Sequence, residues 1–522
     1  MKVLIVTGRL AAETVKKYAG KSGVECEVVS LPVDVAALIP QRMIVEHLRK
    51  LNLSNFELIL TPGLMPGDVS FITTSLGINA FKGPRHAFDL PLVLRSLSKV
   101  KLSSSKPACE ILKEKIRKTT LRELKAIYRK AERRRACPGS LPIGKGRRKI
   151  WIGGLQPPKV LAEIVDASLM SSEAIHTTAV YYSKSGADII DVGMAAGRED
   201  VENAVRALTV VKSSVPNPVS IDTGSVEEIR AAVKAGVDLI LSLSEESLKD
   251  ARFAREIPVV VTPYQGRGGC PTDVQEKMEA LENNIAIAKQ LGFKWIIADP
   301  VLTPMLTPSL TESIVAYWSF RRRYPDIPLL FGAGNVTELM DGDSIGANLI
   351  LAGIASELNA SVILTTEASS KTRGCVSELV KAVKMMTLAK KRNSPPKDLG
   401  LDLLILKDKT VREELETPEL RDVKPVSSDH ERRVSFDPKG CFKIMVDRRR
   451  SEILLFHYTY KGGKPDAAFR GKDPLKMCRA VLRKGLISRM DHAAYLGAEL
   501  MKAQVALETG KTYIQDEPLF TQ

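Results

Sequence analysis

Eight short apolar strand patterns alternate with helix patterns between about residues 155 and 392. Each strand pattern is rich in Val, Ile and Leu, as expected for a strand that is buried on both faces. Eight strand–helix repeats are the number that closes a parallel barrel, so the segment predicts a (βα)8 TIM barrel. The expected strands span residues 160–165, 187–193, 218–223, 237–244, 258–264, 295–300, 328–334 and 362–368.

The segments on either side of the barrel differ from it in composition. Residues 1–100 alternate apolar strand patterns with helices, which predicts an N-terminal α/β domain with a parallel sheet. Residues 101–150 contain 17 Lys and Arg against 4 Glu, and we interpret them as a basic helical connector that ends in a Pro/Gly linker at 137–146. The barrel then occupies 151–392, and residues 393–522 form a separate C-terminal domain.

The C-terminal domain is predicted to belong to the α+β class. Its strand patterns are LDLLILKD, RRVSFDP, CFKIMVD and EILLFHYTY, and two helix patterns follow them. Because the strand patterns lie close together without intervening helices, we expect an antiparallel sheet.

Composition excludes several classes of protein. No apolar stretch reaches the roughly 20 residues of a membrane helix, and the N-terminus lacks the apolar core of a signal peptide, so we expect a cytoplasmic protein with no membrane partner. The seven cysteines show no metal-ligand or redox spacing. The basic connector contains one aromatic residue, Tyr128, and therefore offers no stacking platform, so a nucleic-acid partner is not expected.

Three aspartates and one asparagine stand where expected barrel strands end. They are Asp191, Asp222, Asp299 and Asn335, and strand ends of a barrel converge on the face that carries the chemistry. A buried carboxylate needs hydrogen-bond donors. The adjacent 2-amino and ring N–H groups of a pterin would supply two such donors. An asparagine amide can form hydrogen bonds with another edge of the same ring. The alternative is that these residues cap helices or hold loops.

At this point a family resemblance becomes visible. GADIIDVG (186–193), PVSIDTGSVEEIRAAVKAG (218–236) and IIADP (296–300) resemble the dihydropteroate synthase and pterin-binding methyltransferase superfamily. The resemblance implies that Asp222 and Asp299 contact a reduced pterin and that Asp191 matches the second-strand aspartate of the family. It also places Asp166 near the asparagine that contacts metal or phosphate in the family, so Mg²⁺ is an expected cofactor.

Three departures leave the reaction open. The sixth strand is followed by VLTPMLTPS, and the eighth ends in TTEASS without the Arg-x-His that holds the leaving pyrophosphate in the synthases. The seventh leads to GAGNVTE, which is similar to the methyltetrahydrofolate-binding methyltransferases. The resemblance implies a transferase that joins a pterin to an arylamine. The alternatives are a pterin-dependent methyltransferase that acts with a cobamide or other acceptor, and a non-catalytic pterin-binding scaffold.

The domain arrangement as a whole resembles the archaeal dihydropteroate-synthase-related proteins. That resemblance implies a place in folate or methanopterin-type cofactor metabolism and a small-molecule pterin as the main partner. The further partners that it implies are a phosphorylated arylamine, a protein acceptor and a second copy of the chain in a homodimer.

Overall fold

The computed structural model describes residues 2–98, 100–266, 269–407, 436–448, 450–461 and 463–520. The chain divides into two compact units, Met1–Lys407 and Asp408–Gln522. The predicted domain boundaries within residues 1–407 stay predictions. No helix in the described ranges combines the length and the apolar character that crossing a membrane requires.

The N-terminal segment forms a parallel four-stranded sheet with the strand order β2-β1-β3-β4. Along β1, Val3 and Ile5 pack into one apolar cluster while Leu4 and Val6 pack into another, so helices cover both faces of the sheet. The elements are β1 (Lys2–Gly8), α1 (Ala12–Ala19), β2 (Glu25–Leu31), α2 (Gln41–Leu48), β3 (Leu58–Thr61), α3 (Ser70–Leu76), β4 (Ala80–Lys82) and α4 (Leu90–Leu94).

The basic connector contains α5 (Ala108–Ile111) and the long helix α6 (Lys113–Arg133). The predicted linker at 137–146 is wrong, because β5 (Ser140–Ile143) and β6 (Ile150–Gly153) form an antiparallel hairpin. Leu141, Ile143 and Ile152 of the hairpin share one apolar cluster with residues at the strand starts of the barrel. The hairpin therefore closes the amino-terminal end of the barrel.

The predicted barrel is confirmed. Its eight parallel strands follow one another in sequence order around the sheet, and a bridge between Ala298 and Leu329 joins the two edges. The strands are β7 (Lys159–Ile164), β8 (Ile189–Gly193), β9 (Val219–Asp222), β10 (Leu239–Leu243), β11 (Val259–Val261), β12 (Ile296–Ala298), β13 (Leu330–Gly332) and β14 (Val362–Thr366).

Helices surround the strands, and several begin at a side chain that accepts a backbone N–H, as Ser171, Ser225 and Asp273 do. The helices of this segment are α7 (Ser172–Ser185), α8 (Val201–Ser214), α9 (Val226–Lys234), α10 (Glu245–Asp250), α11 (Val274–Gln290), α12 (Leu310–Arg323), α13 (Gly334–Thr337), α14 (Ser344–Glu357) and α15 (Cys375–Arg392).

The C-terminal unit has the predicted α+β character. An antiparallel sheet of β15 (Cys441–Asp447), β16 (Glu452–Tyr458) and β17 (Ala467–Gly471) packs on α16 (Pro474–Arg483) and α17 (Met490–Thr509). The sequence patterns predicted β15 and β16 and missed β17.

Two other strand predictions in this part of the chain fail or go untested. The pattern LDLLILKD does not form a strand, since residues 401–407 are irregular. Of the RRVSFDP pattern, residues 432–435 lie outside the described residues, and 436–438 are not in a strand.

Candidate functional site

Side chains of the barrel strands alternate between the barrel interior and the surrounding helices. Leu161, Ile189 and Ile297 belong to the interior cluster, so the residues two positions later also point inward. Those residues are acidic in all three strands: Glu163, Asp191 and Asp299. The carboxyl end of the barrel is consequently lined by carboxyl groups.

Three carboxyl groups at this end of the barrel lie close together, those of Glu163, Asp191 and Asp222. One carboxylate oxygen of each lies within 4.8 Å of those of the other two. We call Glu163, Asp191, Asp222 and Asp299 the carboxylate layer. Asp191, Asp222 and Asp299 were predicted as site residues from the sequence, whereas Glu163 was not. The sequence signal for Glu163 is a charged residue inside an apolar strand.

Asp191 is the most deeply buried member of the layer, with no exposed surface. Its Oδ1 accepts a 2.6 Å hydrogen bond from the hydroxyl of Ser220. Its Oδ2 is buried and has no hydrogen-bond partner among the described residues. Burial, followed by the charges of Asp222 and Glu163, raises the pKa of Asp191 well above its ordinary value. The free oxygen is therefore an acceptor that a bound donor or cation would satisfy.

Glu163 lies against the main chain of the next strand. A Cβ atom at Gly193 would overlap Oε1 of Glu163, so a larger residue at this position would displace the carboxylate from its present place. Burial, followed by the charges of Asp222, Asp166 and Glu338, raises the pKa of Glu163 to about 7. A group with that pKa exchanges its proton near neutral pH.

Asp222 is held by a strained residue of the neighbouring strand. Ser242 has a φ of 66°, and the β10–β11 register shifts between Ile240 and Leu243. The Ser242 hydroxyl bonds to Asp222 and lowers its pKa, while burial has the larger effect and raises it. A left-handed serine within a strand is costly, and such residues concentrate at functional sites.

Asp299 follows β12 and has two donors of its own. The Tyr317 hydroxyl donates to Oδ1 over 2.5 Å, and the backbone N–H of Val301 donates to the same atom over 2.8 Å. Burial nevertheless raises the pKa of Asp299 to about 6. The carboxylate is thus positioned by the protein and still short of donors.

The two remaining predicted residues lie at the edge of the carboxylate layer. Nδ2 of Asn335, in the turn after β13, donates over 2.8 Å to the carbonyl of Leu302, so the amide holds the loop that follows Asp299. Asp166 adopts a left-handed conformation with a φ of 51°, and its charge contributes to the raised pKa of Glu163. Its carboxylate is not in the close group of three, so the predicted metal or phosphate role of Asp166 stays a prediction.

A buried lysine also belongs to this neighbourhood, and the sequence analysis missed it. Lys277 lies in the first turn of α11 with 2% of its surface exposed, and its Nζ is 3.5 Å from the carbonyl of Val301. Its charge lowers the pKa of Asp299. A cation is disfavoured both by burial and by the positive end of a helix, so its presence here indicates a role in the site.

Replacing Glu163 by glutamine should change the pH dependence of stability. Between the ordinary pKa of 4.5 and the folded value of about 7, the native protein keeps a proton that the unfolded chain releases, so stability falls as pH rises through this window. Glu163→Gln removes that loss. We expect its free energy of unfolding to match that of the wild type at pH 4 and to exceed it by roughly 3 kcal/mol at pH 8 in urea titrations.

The matched control for this prediction is Glu279→Gln, at an exposed position in the middle of α11. This substitution should leave the free energy of unfolding unchanged at both pH 4 and pH 8. An equal stability difference between Glu163→Gln and the wild type at pH 4 and pH 8 would contradict the raised pKa.

Known proteins resemble this chain in its barrel and along its whole length. A family described as pterin binding enzyme matches residues 164–370, and one described as PterinBD-DUF4346 matches residues 436–516. The first match makes residues 164–370 similar to the pterin binding enzymes. The uncharacterized protein MJ0107 of Methanocaldococcus jannaschii is 36% identical over 538 residues, which cover 100% of this chain and 99% of the relative. The chain therefore belongs to the family of that archaeal protein, with a barrel that matches the pterin binding enzymes.

Solved dihydropteroate synthases also align with the chain. That of Xanthomonas albilineans is 20% identical with a TM-score of 0.40, and the alignment covers 48% of this chain and 98% of the synthase. That of Stenotrophomonas maltophilia is 22% identical with a TM-score of 0.39, covering 47% and 96%.

Proposed function

We propose that the carboxylate layer binds a reduced pterin and that the chain joins this pterin to an arylamine. The observation that carries the proposal is the buried, unpartnered Oδ2 of Asp191 beside Asp222. Buried acceptors without donors are costly to the free protein. A ligand edge with adjacent N–H groups would satisfy them, and a pterin has that edge.

In this proposal Asp191, Asp222 and Asp299 accept the 2-amino and ring N–H groups of the pterin. Tyr317 and the N–H of Val301 fix the orientation of Asp299, and Ser242 fixes that of Asp222. Charge-assisted pairs of this kind are strong and reject analogues that lack a donor. Asn335 contributes by holding the loop after Asp299.

The proposed reaction forms a C–N bond and breaks a C–O bond. The arylamine nitrogen attacks the exocyclic carbon of the pterin, and the electron pair of the C–O bond leaves with the phosphate oxygen. The nitrogen must then lose a proton. Glu163, with its pKa raised to about 7, is the group of the layer best suited to accept it near neutral pH.

The close group of three carboxylates also fits a divalent cation. Glu163, Asp191 and Asp222 offer oxygen ligands within 4.8 Å of one another, and Mg²⁺ prefers oxygen ligands from one or two carboxylates. When bound there, Mg²⁺ would supply positive charge to a phosphate leaving group, and it would take the place of the proton-accepting role of Glu163, so the two roles are alternatives. The unpartnered Oδ2 of Asp191 is consistent with such a ligand.

Methyl transfer from a reduced pterin, including one of the methanopterin type, to a cobamide or other protein acceptor is the second candidate. The resemblance of GAGNVTE to the methyltetrahydrofolate-binding methyltransferases favours it, and Asn335 of this motif lies in α13, with its amide bonded to the loop that follows Asp299. It requires no phosphate site, which agrees with the absence of an Arg-x-His pair from the sequence after β14.

Calorimetric titration with a hydroxymethyl dihydropterin and its diphosphate ester, each with and without Mg²⁺, tests these proposals. We expect binding that Asp222→Ala weakens at least 100-fold, about 3 kcal/mol, while Asp250→Ala, at an exposed position of α10, has no effect. Incubation with an arylamine, followed by mass spectrometry of the product, then tests condensation.

Each outcome of these experiments has a distinct meaning. An arylamine adduct formed only from the diphosphate supports condensation. Demethylation of a methyl-pterin that depends on a cobamide acceptor supports methyl transfer instead, and tight binding with neither reaction points to a scaffold. Pterin binding that survives Asp222→Ala unchanged would refute the assignment of the site.

A further inference from the structure

A second cavity lies at the carboxyl edge of the N-terminal sheet, in a different sheet from the carboxylate layer. It has a volume of about 110 Å³ and is lined by Thr7 at the end of β1, Thr61 at the end of β3 and Gly83 after β4. The strand order β2-β1-β3-β4 places β2 on one side of β1 and β3 on the other. The chain thus reverses its direction of winding at β1, and ligands of open parallel sheets bind at such a switch point.

The walls of this cavity are fixed by close contacts between backbones. A Cβ atom at Gly63 would lie 2.5 Å from the carbonyl oxygen of Gly83, and one at Gly8 would lie 2.6 Å from that of Val33. The loops after the strands can pack this closely only because glycine occupies these positions. The cavity is therefore formed before any ligand arrives.

Arg85 supplies the charge of the cavity. It is one of the lining residues, its side chain is 11% exposed, and it donates to Oε1 of Glu110 over 2.5 Å. Its Nε is buried and, among the described residues, has no hydrogen-bond partner. Arginine holds carboxylate and phosphate groups through several N–H donors in one plane, so a buried unused donor here indicates an anionic ligand.

Apart from Arg85, Thr7 and Thr61, most side chains that line the cavity are apolar. Val15, Leu60 and Leu90 line the interior. In the loops after β1 and β2, Leu10 and Leu38 are 76% and 71% exposed. Large exposed apolar side chains gathered around a cavity are typical of a binding surface. The ligand should therefore carry an apolar body as well as an anionic group.

We propose that this switch-point cavity binds a small carboxylate or phosphate ester with an aromatic or aliphatic body. The anionic group lies at Arg85, and the apolar part lies between the strand ends and the loops that carry Leu10 and Leu38. The volume is well below the roughly 300 Å³ at which sites for larger ligands begin, so it suits one small ring that carries one anionic group. The site is independent of the pterin proposal.

Titration calorimetry of the full chain with benzoate, phenyl phosphate, inorganic phosphate and benzyl alcohol tests the proposal. We expect at least one of the two aromatic anions to bind one site per chain and to bind more tightly than both inorganic phosphate and benzyl alcohol. Ala37 lines the mouth of the cavity and is half-buried, so Ala37→Phe should fill the mouth and weaken binding at least tenfold. Arg85→Met should do the same by removing the donors.

Two controls separate this site from the rest of the molecule. Asp222→Ala in the barrel and Ala126→Phe at an exposed position of α6 should both leave aromatic-anion binding unchanged. If circular dichroism shows that Arg85→Met is unfolded, the binding measured for Ala37→Phe alone tests the proposal. The proposal fails if neither aromatic anion binds, if benzyl alcohol binds as tightly as they do, or if Ala37→Phe binds like the wild type.

Discussion

Alanine at Asp299 should weaken the binding of a reduced pterin at least 100-fold at pH 7.5, a loss of about 3 kcal/mol. The residue is half-buried, and removal of its carboxyl group from water is the main cause of its pKa of about 6. At pH 7.5 it is therefore ionised and poised to accept the N–H groups of the ligand. Without it, those groups enter a dry pocket unpaired, and a buried donor without an acceptor is costly. Calorimetric titration measures the loss directly.

Tyr317→Phe offers a graded companion to that experiment. Its hydroxyl donates to Asp299 over 2.5 Å and lowers the pKa of the carboxyl group. Loss of the hydroxyl should raise this pKa, so binding should weaken roughly tenfold near pH 6.5 and recover as pH rises. The matched control is Glu312→Ala, at an exposed position of α12, which should change nothing. Asp299→Ala binding within threefold of the wild type would contradict the proposed contact.

The barrel could be predicted from the sequence because its strands carry their signal locally. Apolar β-branched runs mark strands that are buried on both faces, and eight of them leave few alternatives to a closed parallel barrel. The hairpin of β5 and β6 has no such signal. It is stabilised by Leu141, Ile143 and Ile152, which pack against residues of the barrel far along the chain. Gly and Pro within 137–146 therefore suggested a linker.

The site could be predicted where a polar residue ends a strand, and it was missed elsewhere. Asp191 and Asp222 were found in this way, and the structure brings their carboxylates together. Glu163 was taken as part of an apolar strand, although period-two alternation from Leu161 points it inward. The contribution of Ser242 depends on its left-handed φ of 66°, which no local sequence pattern predicts.

Lys277 could have been flagged from the sequence, because a lysine in the first turn after an Asp cap opposes the helix dipole. Its burial depends on how α11 packs against the loop after β12, since Nζ lies 3.5 Å from the carbonyl of Val301. Only the folded chain brings its charge near Asp299.

Lys277→Met should move the pH dependence of pterin binding. The ammonium group lowers the pKa of Asp299, so its removal should raise that pKa above about 6. Binding requires ionised Asp299, and the pH at which affinity reaches half its maximum should therefore rise. Methionine keeps the apolar length of the side chain, so the packing around α11 is retained.

Calorimetric titrations from pH 5.5 to pH 9 measure this shift, with Lys289→Met, an exposed position on the same helix, as the control. A purely structural role for Lys277 would lower affinity by the same factor at every pH, and an unchanged profile would refute the electrostatic role. The predicted role instead gives an affinity deficit that is largest at low pH and absent at pH 9. If the plateau at pH 9 also falls, the ammonium group itself contacts the ligand, because Asp299 is fully ionised there in both proteins.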